Sequence, residues 1–224
     1  MTATNGGEPR PYRLVIFDFD GTLADSLGWM RGVMNDVARR HRFRAAEGDE
    51  LEELRGKDTR AIMAHLGVSP WKLPFIARDM RRRAAREALR IRPFPGVHEL
   101  LAELAREGLL VAIVSSNAEA NVRTVLGPES AARVRFYECG AGLFGKRAKF
   151  RRVLRRSATP PGQAIAVGDE ARDIEAATGE GIAAAAVTWG YATADLLRAH
   201  RPTVMLDDLG ELRRLLLGDD PAPG

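Results

Sequence analysis

The sequence contains little cysteine and no long apolar run. Cys139 is the single cysteine among 224 residues, so the chain forms no internal disulfide and suits a reducing compartment. No apolar run approaches the roughly 20 residues that a membrane-spanning helix needs. The polar first ten residues lack the apolar core of a signal peptide. We therefore expect a cytoplasmic protein without a membrane partner.

Positively charged residues only slightly outnumber negatively charged ones. Lysine and arginine number 34 and the acidic residues number 30, which gives a net charge of +4. A basic balance favours anionic partners but does not choose among nucleic acids, membrane surfaces and phosphorylated metabolites. Aromatic residues make up 6% of the chain and do not alternate with basic residues as in nucleic-acid-binding motifs. We therefore predict no nucleic-acid partner.

Runs of aliphatic and β-branched residues predict six buried strands with helices between them. The strands are expected at residues 14–17, 109–114, 134–139, 164–167, 182–187 and 203–206. Helical patterns separate them at residues 97–104 and at 118–126, where Asn117 is the expected N-cap and Gly127 the terminator. Strands that alternate with helices indicate an α/β fold, a Rossmann-like parallel sheet covered on both faces.

The segment 27–92 interrupts this alternation. Its patterns predict helices only, at residues 30–42, 51–54, 59–66 and 73–89. We interpret the segment as an all-helical cap domain inserted into an α/β core of residues 11–26 and 93–217. Residues 1–10 and 218–224 are expected to form disordered tails. The cap would lie over the carboxyl end of the first strand, where open α/β sheets bind ligands.

Two acidic clusters follow two of the predicted strands. Asp18 and Asp20 lie in the segment DFDGTL after the first strand, and residues two apart in an extended chain point the same way. Asp169 and Asp173 follow the strand at 164–167, where we expect a helix that carries both on one face. Carboxylates this close repel unless a cation or proton intervenes. Solvated loops and helix starts are commonly acidic, but two such clusters in a basic protein favour metal binding and acid–base chemistry.

Polar residues also follow the strand at 109–114. Ser115, Ser116 and Asn117 precede a predicted helix, and the unpaired amide groups of a helix start can bind an anion. Simple helix capping would explain the same residues. Lys146 and Lys149 lie before the strand at 164–167, and either lysine alone would be typical of a protein surface.

Taken in order, these residues resemble the motifs of the haloacid dehalogenase superfamily. The segment DFDGTL is similar to that family's nucleophile loop, Ser115 stands where the second motif has Ser or Thr, and Asp169 with Asp173 matches the fourth motif. The helical insertion resembles the phosphoglycolate phosphatase-like branch. Two positions depart from the family pattern: Arg147 follows the third-motif lysine where proline is frequent, and Glu170 stands where a small hydroxyl residue is frequent.

The resemblance implies a phosphatase that needs Mg²⁺. Asp18 would be the nucleophile and form an aspartyl-phosphate. Asp20 would protonate the leaving oxygen and then activate water. The metal ion would bind Asp18, the backbone carbonyl of Asp20 and Asp169, with Asp173 holding Asp169 or a metal-bound water in place.

The resemblance also implies how a small phosphorylated metabolite is held. The Ser115 hydroxyl and the amides of Ser116 and Asn117 would bind phosphate oxygens, and a lysine would neutralise charge. Lys146 is the preferred lysine and Lys149 the alternative. In the cap, Lys57 and Arg60 could hold a second anionic group of a phosphoglycolate-like substrate, although both could equally be solvated surface cations.

Three other functions share parts of this pattern. A phosphomutase of the same superfamily would use the same residues and pass the phosphoryl group to a sugar. A receiver-type phosphoacceptor also uses an aspartate, a metal ion and a lysine, but it has no helical insertion after the first strand. A non-catalytic scaffold would be expected to lack Asp18, Asp20 or Asp169, and all three are present. The acid at Asp20 also argues against a dehalogenase, because dehalogenase members of the family lack it.

Overall fold

A computed structural model of the chain describes residues 11–140 and 145–218. In chain order, the strands are β1 (Leu14–Phe17), β2 (Ala24–Asp25), β3 (Arg92–Pro93), β4 (Leu110–Val114), β5 (Phe136–Glu138), β6 (Ala164–Gly168), β7 (Ala183–Val187) and β8 (Val204–Leu206). The α-helices are α1 (Leu27–His41), α2 (Glu50–Arg55), α3 (Thr59–His65), α4 (Leu73–Glu87), α5 (Val97–Arg106), α6 (Glu119–Arg133), α7 (Lys146–Ser157), α8 (Ala171–Thr178), α9 (Ala194–Ala199) and α10 (Leu209–Leu217).

Six of the strands form one parallel sheet in the order β5-β4-β1-β6-β7-β8. The order reverses around β1, which pairs with β4 on one side and with β6 on the other. A parallel pair needs a crossover connection, and helices supply these crossovers on both faces. The predicted α/β, Rossmann-like class is confirmed.

Successive residues of β1 pack against opposite layers of helices. Val15 and Phe17 belong to a core formed with α5, α6 and α10. Leu14 and Ile16 belong to a second core formed with α7, α8 and α9. All four side chains are fully buried, as expected for a central parallel strand that is covered on both faces. The apolar composition of this strand therefore follows from its place in the sheet.

Four α-helices, α1 to α4, lie between β2 and β3 in the chain. The two short strands pair antiparallel, with Asp25 opposite Arg92, and they bring the two ends of the helical segment together. The sequence pattern did not predict this ribbon. Strands of two residues carry too little periodicity to be seen. The predicted domain boundaries at 26/27 and 92/93 lie beside the ribbon, and the division into cap and core remains a prediction.

Two further details differ from the sequence-based expectations. Gly127 was expected to end the helix at residues 118–126, and it does have non-helical backbone angles, φ 73° and ψ 164°. A further helical turn begins at Pro128, however, so α6 continues to Arg133. Gly218 closes α10 as its C-cap, whereas the rest of the predicted tails, 1–10 and 219–224, lies outside the described residues. None of the described helices has the length and apolar character that a membrane crossing requires.

Candidate active site

The predicted polar clusters lie at one edge of the sheet. Asp18 follows β1, Ser115 follows β4 and Asp169 follows β6. These three strands are neighbours and run parallel, so their carboxyl ends meet at the point where the strand order reverses. The Asp18 amide donates to the Val167 carbonyl at 2.8 Å, which joins the first cluster to the strand that carries Asp169.

Asp18 is a buried carboxylate in contact with a buried ammonium group. The side chain of Asp18 is 5% exposed, and Lys146 Nζ lies 2.8 Å from its Oδ2. Lys146 also donates to Asp173 Oδ1. Burial by itself would lower the pKa of Lys146, but Asp173 and Asp18 outweigh it and raise that pKa. The lysine therefore stays charged beside Asp18.

Lys149 has different partners. Its Nζ donates to the backbone carbonyls of Ser115 at 2.6 Å and Gly140 at 2.9 Å. Burial lowers the pKa of Lys149. The geometry therefore favours Lys146 as the lysine that acts on Asp18, while Lys149 supports the loop after β4.

Three buried acids are close enough to hold one cation. Asp18, Asp169 and Asp173 each offer a carboxylate oxygen, and these atoms lie within 4.8 Å of one another. Burial raises the pKa of Asp169 well above its ordinary value, and Glu170, Asp18 and Asp173 add to the effect. An all-oxygen set of this charge fits a hard divalent cation such as Mg²⁺, which would relieve the repulsion.

The backbone is shaped around Asp169. A Cβ atom on Gly21 or on Gly190 would lie 2.2 Å from an atom of the Asp169 side chain, so both positions require glycine. Thr22 Oγ1 donates to Asp169 Oδ1 at 2.6 Å, and the Tyr191 amide donates to Oδ2 at 2.8 Å. Sequence analysis assigned no role to Thr22, Gly190 or Tyr191. Gly190 and Tyr191 could have been found from their position after β7, because β7 is a further strand that ends at this edge of the sheet.

Asp173 lies in the first turn of α8, but Asp169 precedes that helix. The expectation that both acids share a helix face was therefore wrong, because α8 begins only after Glu170, its N-cap. The Glu170 amide donates to Asp173 Oδ2 at 3.1 Å, within a reciprocal capping box. Glu170 also accepts hydrogen bonds from Arg172 and, at 3.1 Å, from Thr59 Oγ1. The unusual residue at position 170 therefore connects α8 with the helical segment.

The Asp20 side chain is not one of the three clustered acids and is hydrogen-bonded to Asn117. Asn117 Nδ2 donates to Asp20 Oδ2 at 3.1 Å. Burial, followed by the charge of Asp18, raises the pKa of Asp20 to about 6. A carboxyl group with such a pKa exchanges a proton near neutral pH, as general acid–base catalysis requires. The proposed metal contact of Asp20 involves its backbone carbonyl and not this carboxylate.

The residues after β4 are arranged as a tight turn. Ser115 Oγ accepts the Asn117 amide at 3.0 Å. Asn117 Oδ1 accepts from the Ala118 amide and from Asn121 Nδ2, at 2.8 and 2.9 Å. The N-cap of α6 is Ala118, without a side-chain cap, so Asn117 is not the cap that its position predicted. Its side chain instead orients Asp20.

The two cations of the helical segment that were predicted to bind substrate, Lys57 and Arg60, line different cavities. Arg60 lines a cavity of about 230 Å³ together with Lys146 and Arg172. Lys57 lines a cavity of about 80 Å³ beside Glu170 and Tyr191. The structure thus brings Arg60, but not Lys57, onto a cavity with the lysine that contacts Asp18. Nothing in the sequence indicated a role for Arg172. Burial would lower the pKa of Arg172, but the negative charges of Glu170 and Asp18 outweigh burial and raise it.

Comparison with known proteins identifies the class. The model of the haloacid dehalogenase-like hydrolase family matches residues 15–187. A phosphoglycolate phosphatase from Synechococcus elongatus is 32% identical over 199 residues, 88% of this chain and 94% of the relative. The tyrosine-protein kinase PtkA from Mycobacterium tuberculosis is 29% identical over 215 residues, 91% of this chain and 72% of the relative.

A solved structure supports the fold. A haloacid dehalogenase-like family hydrolase from Streptococcus pneumoniae has a TM-score of 0.73 at 19% identity, covering 90% of this chain and 97% of its own. The chain belongs to the haloacid dehalogenase-like hydrolase family. Within that family it is a phosphoglycolate phosphatase-like protein, a hydrolase of the phosphatase kind.

Proposed function

We propose that the chain is a Mg²⁺-dependent phosphatase that hydrolyses a small organic phosphomonoester through an aspartyl-phosphate on Asp18. One observation carries the proposal. Asp18 is buried, touches the charged Lys146 at 2.8 Å, and lies within 4.8 Å of the acids Asp169 and Asp173. A carboxylate in such surroundings is oriented and desolvated for attack on an electrophile that carries its own negative charge.

The metal ion would be held by a defined set of oxygens. Asp18 and Asp169 would supply carboxylate oxygens, Asp20 its backbone carbonyl, and Asp173 would orient Asp169 or a bound water. When bound, Mg²⁺ supplies positive charge for the phosphoryl oxygens. Thr22 and the Tyr191 amide hold both Asp169 oxygens, so the orientation of this carboxylate does not depend on the ion.

In the first step, an Asp18 oxygen attacks phosphorus and the bond between phosphorus and the ester oxygen breaks. The departing oxygen takes a proton from the Asp20 carboxyl group and leaves as an alcohol. The pKa of Asp20, raised to about 6 by burial and by Asp18, suits a group that must carry that proton near neutral pH. Asn117 holds the Asp20 carboxyl group at 3.1 Å.

In the second step, the Asp20 carboxylate takes a proton from water, and the oxygen of that water attacks the phosphorus of the aspartyl-phosphate. The bond from Asp18 to phosphorus breaks, which releases inorganic phosphate and restores both aspartates. Lys146 stays in contact with Asp18 and Asp173, so its charge can stabilise the negative charge that returns to Asp18.

Cations and polar groups would bind the phosphoryl oxygens. They are the Ser115 hydroxyl and the Ser116 and Asn117 amides after β4, with the Asn117 amide exchanging its hydrogen bond to Ser115 Oγ for one to phosphate. Lys146 on α7, which contacts Asp18, would supply the positive charge. We also propose Arg60 as an anion-binding residue, because it lines the cavity of Lys146. The role of Lys57 stays a prediction, and the cavity that it lines contains neither Asp18 nor Lys146.

Phosphoglycolate is the reference substrate for a first test, since a relative is a phosphoglycolate phosphatase. We expect phosphate release in Mg²⁺, loss of activity with a chelator, and recovery when Mg²⁺ is restored. Ca²⁺ should inhibit, because its looser coordination disturbs in-line attack. Full activity in excess chelator would refute the metal assignment.

Phosphatase and mutase differ in the acceptor of the phosphoryl group. A phosphatase releases one inorganic phosphate for each alcohol formed, whereas a mutase forms a new phosphate ester without net phosphate release. Measuring both products with and without an added sugar phosphate distinguishes the two. A trapped acyl-phosphate that requires Asp18 is expected in either case, and its absence would exclude both mechanisms.

A further inference from the structure

Asp20 lines a second cavity that differs in chemistry from the one beside Lys146. This apolar cavity has a volume of about 200 Å³ and is lined by residues of α1 and α4 and by Ser116 and Asn117. Its wall consists mainly of Met30, Met34, Met80, Trp29 and Ile76. Thioether and indole side chains of this kind contact hydrocarbon better than charged groups.

The position of Asp20 indicates which part of the substrate occupies this cavity. Under the proposed function, Asp20 gives its proton to the departing ester oxygen, so that oxygen must lie within hydrogen-bond reach of Asp20. The carbon chain attached to the oxygen then continues into space that Asp20 borders. Among the cavities found in the described residues, the one between α1 and α4 is lined by Asp20.

The cavity beside Lys146 has a different lining. It carries four cations, Arg60, Lys146, Arg147 and Arg172, and two acids, Asp58 and Glu175, whereas Asp20 is not part of it. The excess of cations suits phosphate oxygens or a second anion. The anionic part of the substrate would therefore bind near Lys146, and an uncharged part would bind near Asp20.

We propose that the leaving group is an alcohol with an apolar body of about six carbon atoms, held between α1 and α4. This inference rests on the proposed function, because Asp20 must act on the leaving oxygen. The size follows from the volume: a cavity of about 150 Å³ holds benzene, and this one measures about 200 Å³. Arg81 is the single cation among the described residues that form its wall, so a carboxylated leaving group is the alternative to test.

The experiment uses two matched series on the full chain with Mg²⁺. Binding of n-alkylphosphonates from methyl to octyl is measured by calorimetry, and turnover of the corresponding n-alkyl phosphates is measured by phosphate release. Each added methylene should improve the dissociation constant and kcat/KM roughly fourfold, the factor for burying one CH₂ group. The improvement should stop near six carbons, when the cavity is full.

Substitution of the wall tests whether this cavity causes the preference. Met34→Gln and Met80→Gln keep the side-chain length but place an amide in the cavity, so the ratio of hexyl to ethyl binding should fall roughly fivefold or more. Phe75→Gln is the control on α4. Phe75 is 59% exposed and does not line the cavity, so the ratio should be unchanged.

The outcomes separate this inference from the proposed function. Binding that is independent of chain length would overturn the apolar leaving group. So would a preference for phosphoglycolate over ethyl phosphate that is lost when Arg81 is substituted. In both cases, continued phosphate release would still support the phosphatase. Chain-length-dependent binding without any phosphate release would refute the phosphatase and leave the apolar cavity established. A lost preference in Phe75→Gln as well as in the methionine variants would also count against the cavity as its cause.

Discussion

Arg55 on α2 donates a hydrogen bond from Nε to the backbone carbonyl of Tyr191 at 3.0 Å. A second nitrogen of the same guanidinium donates to the Gly190 carbonyl at 3.2 Å. The Tyr191 amide in turn donates to Asp169 Oδ2 at 2.8 Å. The helical segment is thereby linked through one short loop to an acid of the proposed metal site.

We predict that Arg55→Ala weakens metal activation. The substitution removes two charge-assisted hydrogen bonds from the loop that orients Asp169, and groups that orient metal ligands typically change metal affinity by about 10- to 100-fold. Because Arg55 acts through the Tyr191 backbone, we expect the lower end, an increase of about tenfold in the half-saturating Mg²⁺ concentration. Magnesium titration of phosphatase activity measures it.

Glu52→Ala is the matched control for Arg55. Glu52 is a surface partner of the same guanidinium, at 3.0 Å, and is 55% exposed. Its removal leaves the Tyr191 and Gly190 contacts of Arg55 in place, so the magnesium titration should not move. An unchanged titration in Arg55→Ala itself would show that the loop holds Asp169 without help from α2.

Substitution of the two aspartates of the first motif should affect catalysis in different ways. Asp18→Asn should abolish the aspartyl-phosphate and all turnover. Asp20→Asn should lower kcat by about 10²- to 10⁴-fold for want of a general acid, while Mg²⁺ binding persists through the backbone carbonyl. Rapid quench with labelled substrate measures the phosphoenzyme, and calorimetry measures the metal. Near wild-type turnover in Asp18→Asn would require another nucleophile.

The sheet could be predicted from sequence because its strands are buried on both faces. Continuous apolar runs such as residues 14–17, bounded by polar residues and glycine, mark such strands without need of long-range information. The acids were found for the same reason, since they stand directly after those runs. Their meeting follows from parallel neighbours ending at one edge.

Contacts between distant segments could not be predicted in this way. Nothing near Arg55 indicates that its partner is the carbonyl of Tyr191, more than a hundred residues away. The choice between Lys146 and Lys149 depends on which ammonium the rotation of α7 directs at Asp18, because both lysines are buried. The side-chain bond from Asn117 to Asp20 likewise depends on how β4 and β1 pack.

The two lysines of α7 should have separable effects. Lys146→Met removes the cation from Asp18 and should lower kcat by more than about 10²-fold. Lys149→Met leaves the Ser115 and Gly140 carbonyls without their donor, so it should mainly lower stability, by about 1–3 kcal/mol. Urea unfolding and steady-state kinetics on both variants measure the difference. A larger loss of kcat in Lys149→Met than in Lys146→Met would reverse the assignment.

Asp79 provides a pH-dependent link between α1 and α4. Its Oδ2 lies 3.1 Å from His41 Nε2, 3.6 Å from Arg40 and 3.5 Å from Arg83. Burial would raise the pKa of Asp79, but His41, Arg40 and Arg83 outweigh burial and lower it. The ionised carboxylate is therefore favoured in the folded chain relative to the unfolded one, whose Asp pKa is about 3.9.

This difference predicts how stability changes with pH. Between the folded and unfolded pKa values the unfolded chain binds more protons, so the contribution of Asp79 is complete above about pH 5 and is lost as pH falls through the folded pKa. Asp79→Asn should lower the free energy of unfolding by about 1–2 kcal/mol at pH 6 and by clearly less at pH 3. Urea unfolding at both pH values measures the change.

Glu87→Gln, also on α4, is the control. Glu87 is paired with an Arg90 that is 78% exposed, so its substitution should have little effect on stability at either pH. An equal loss in Asp79→Asn at both pH values would mean that the side chain stabilises the helix pair by packing and not by its charge.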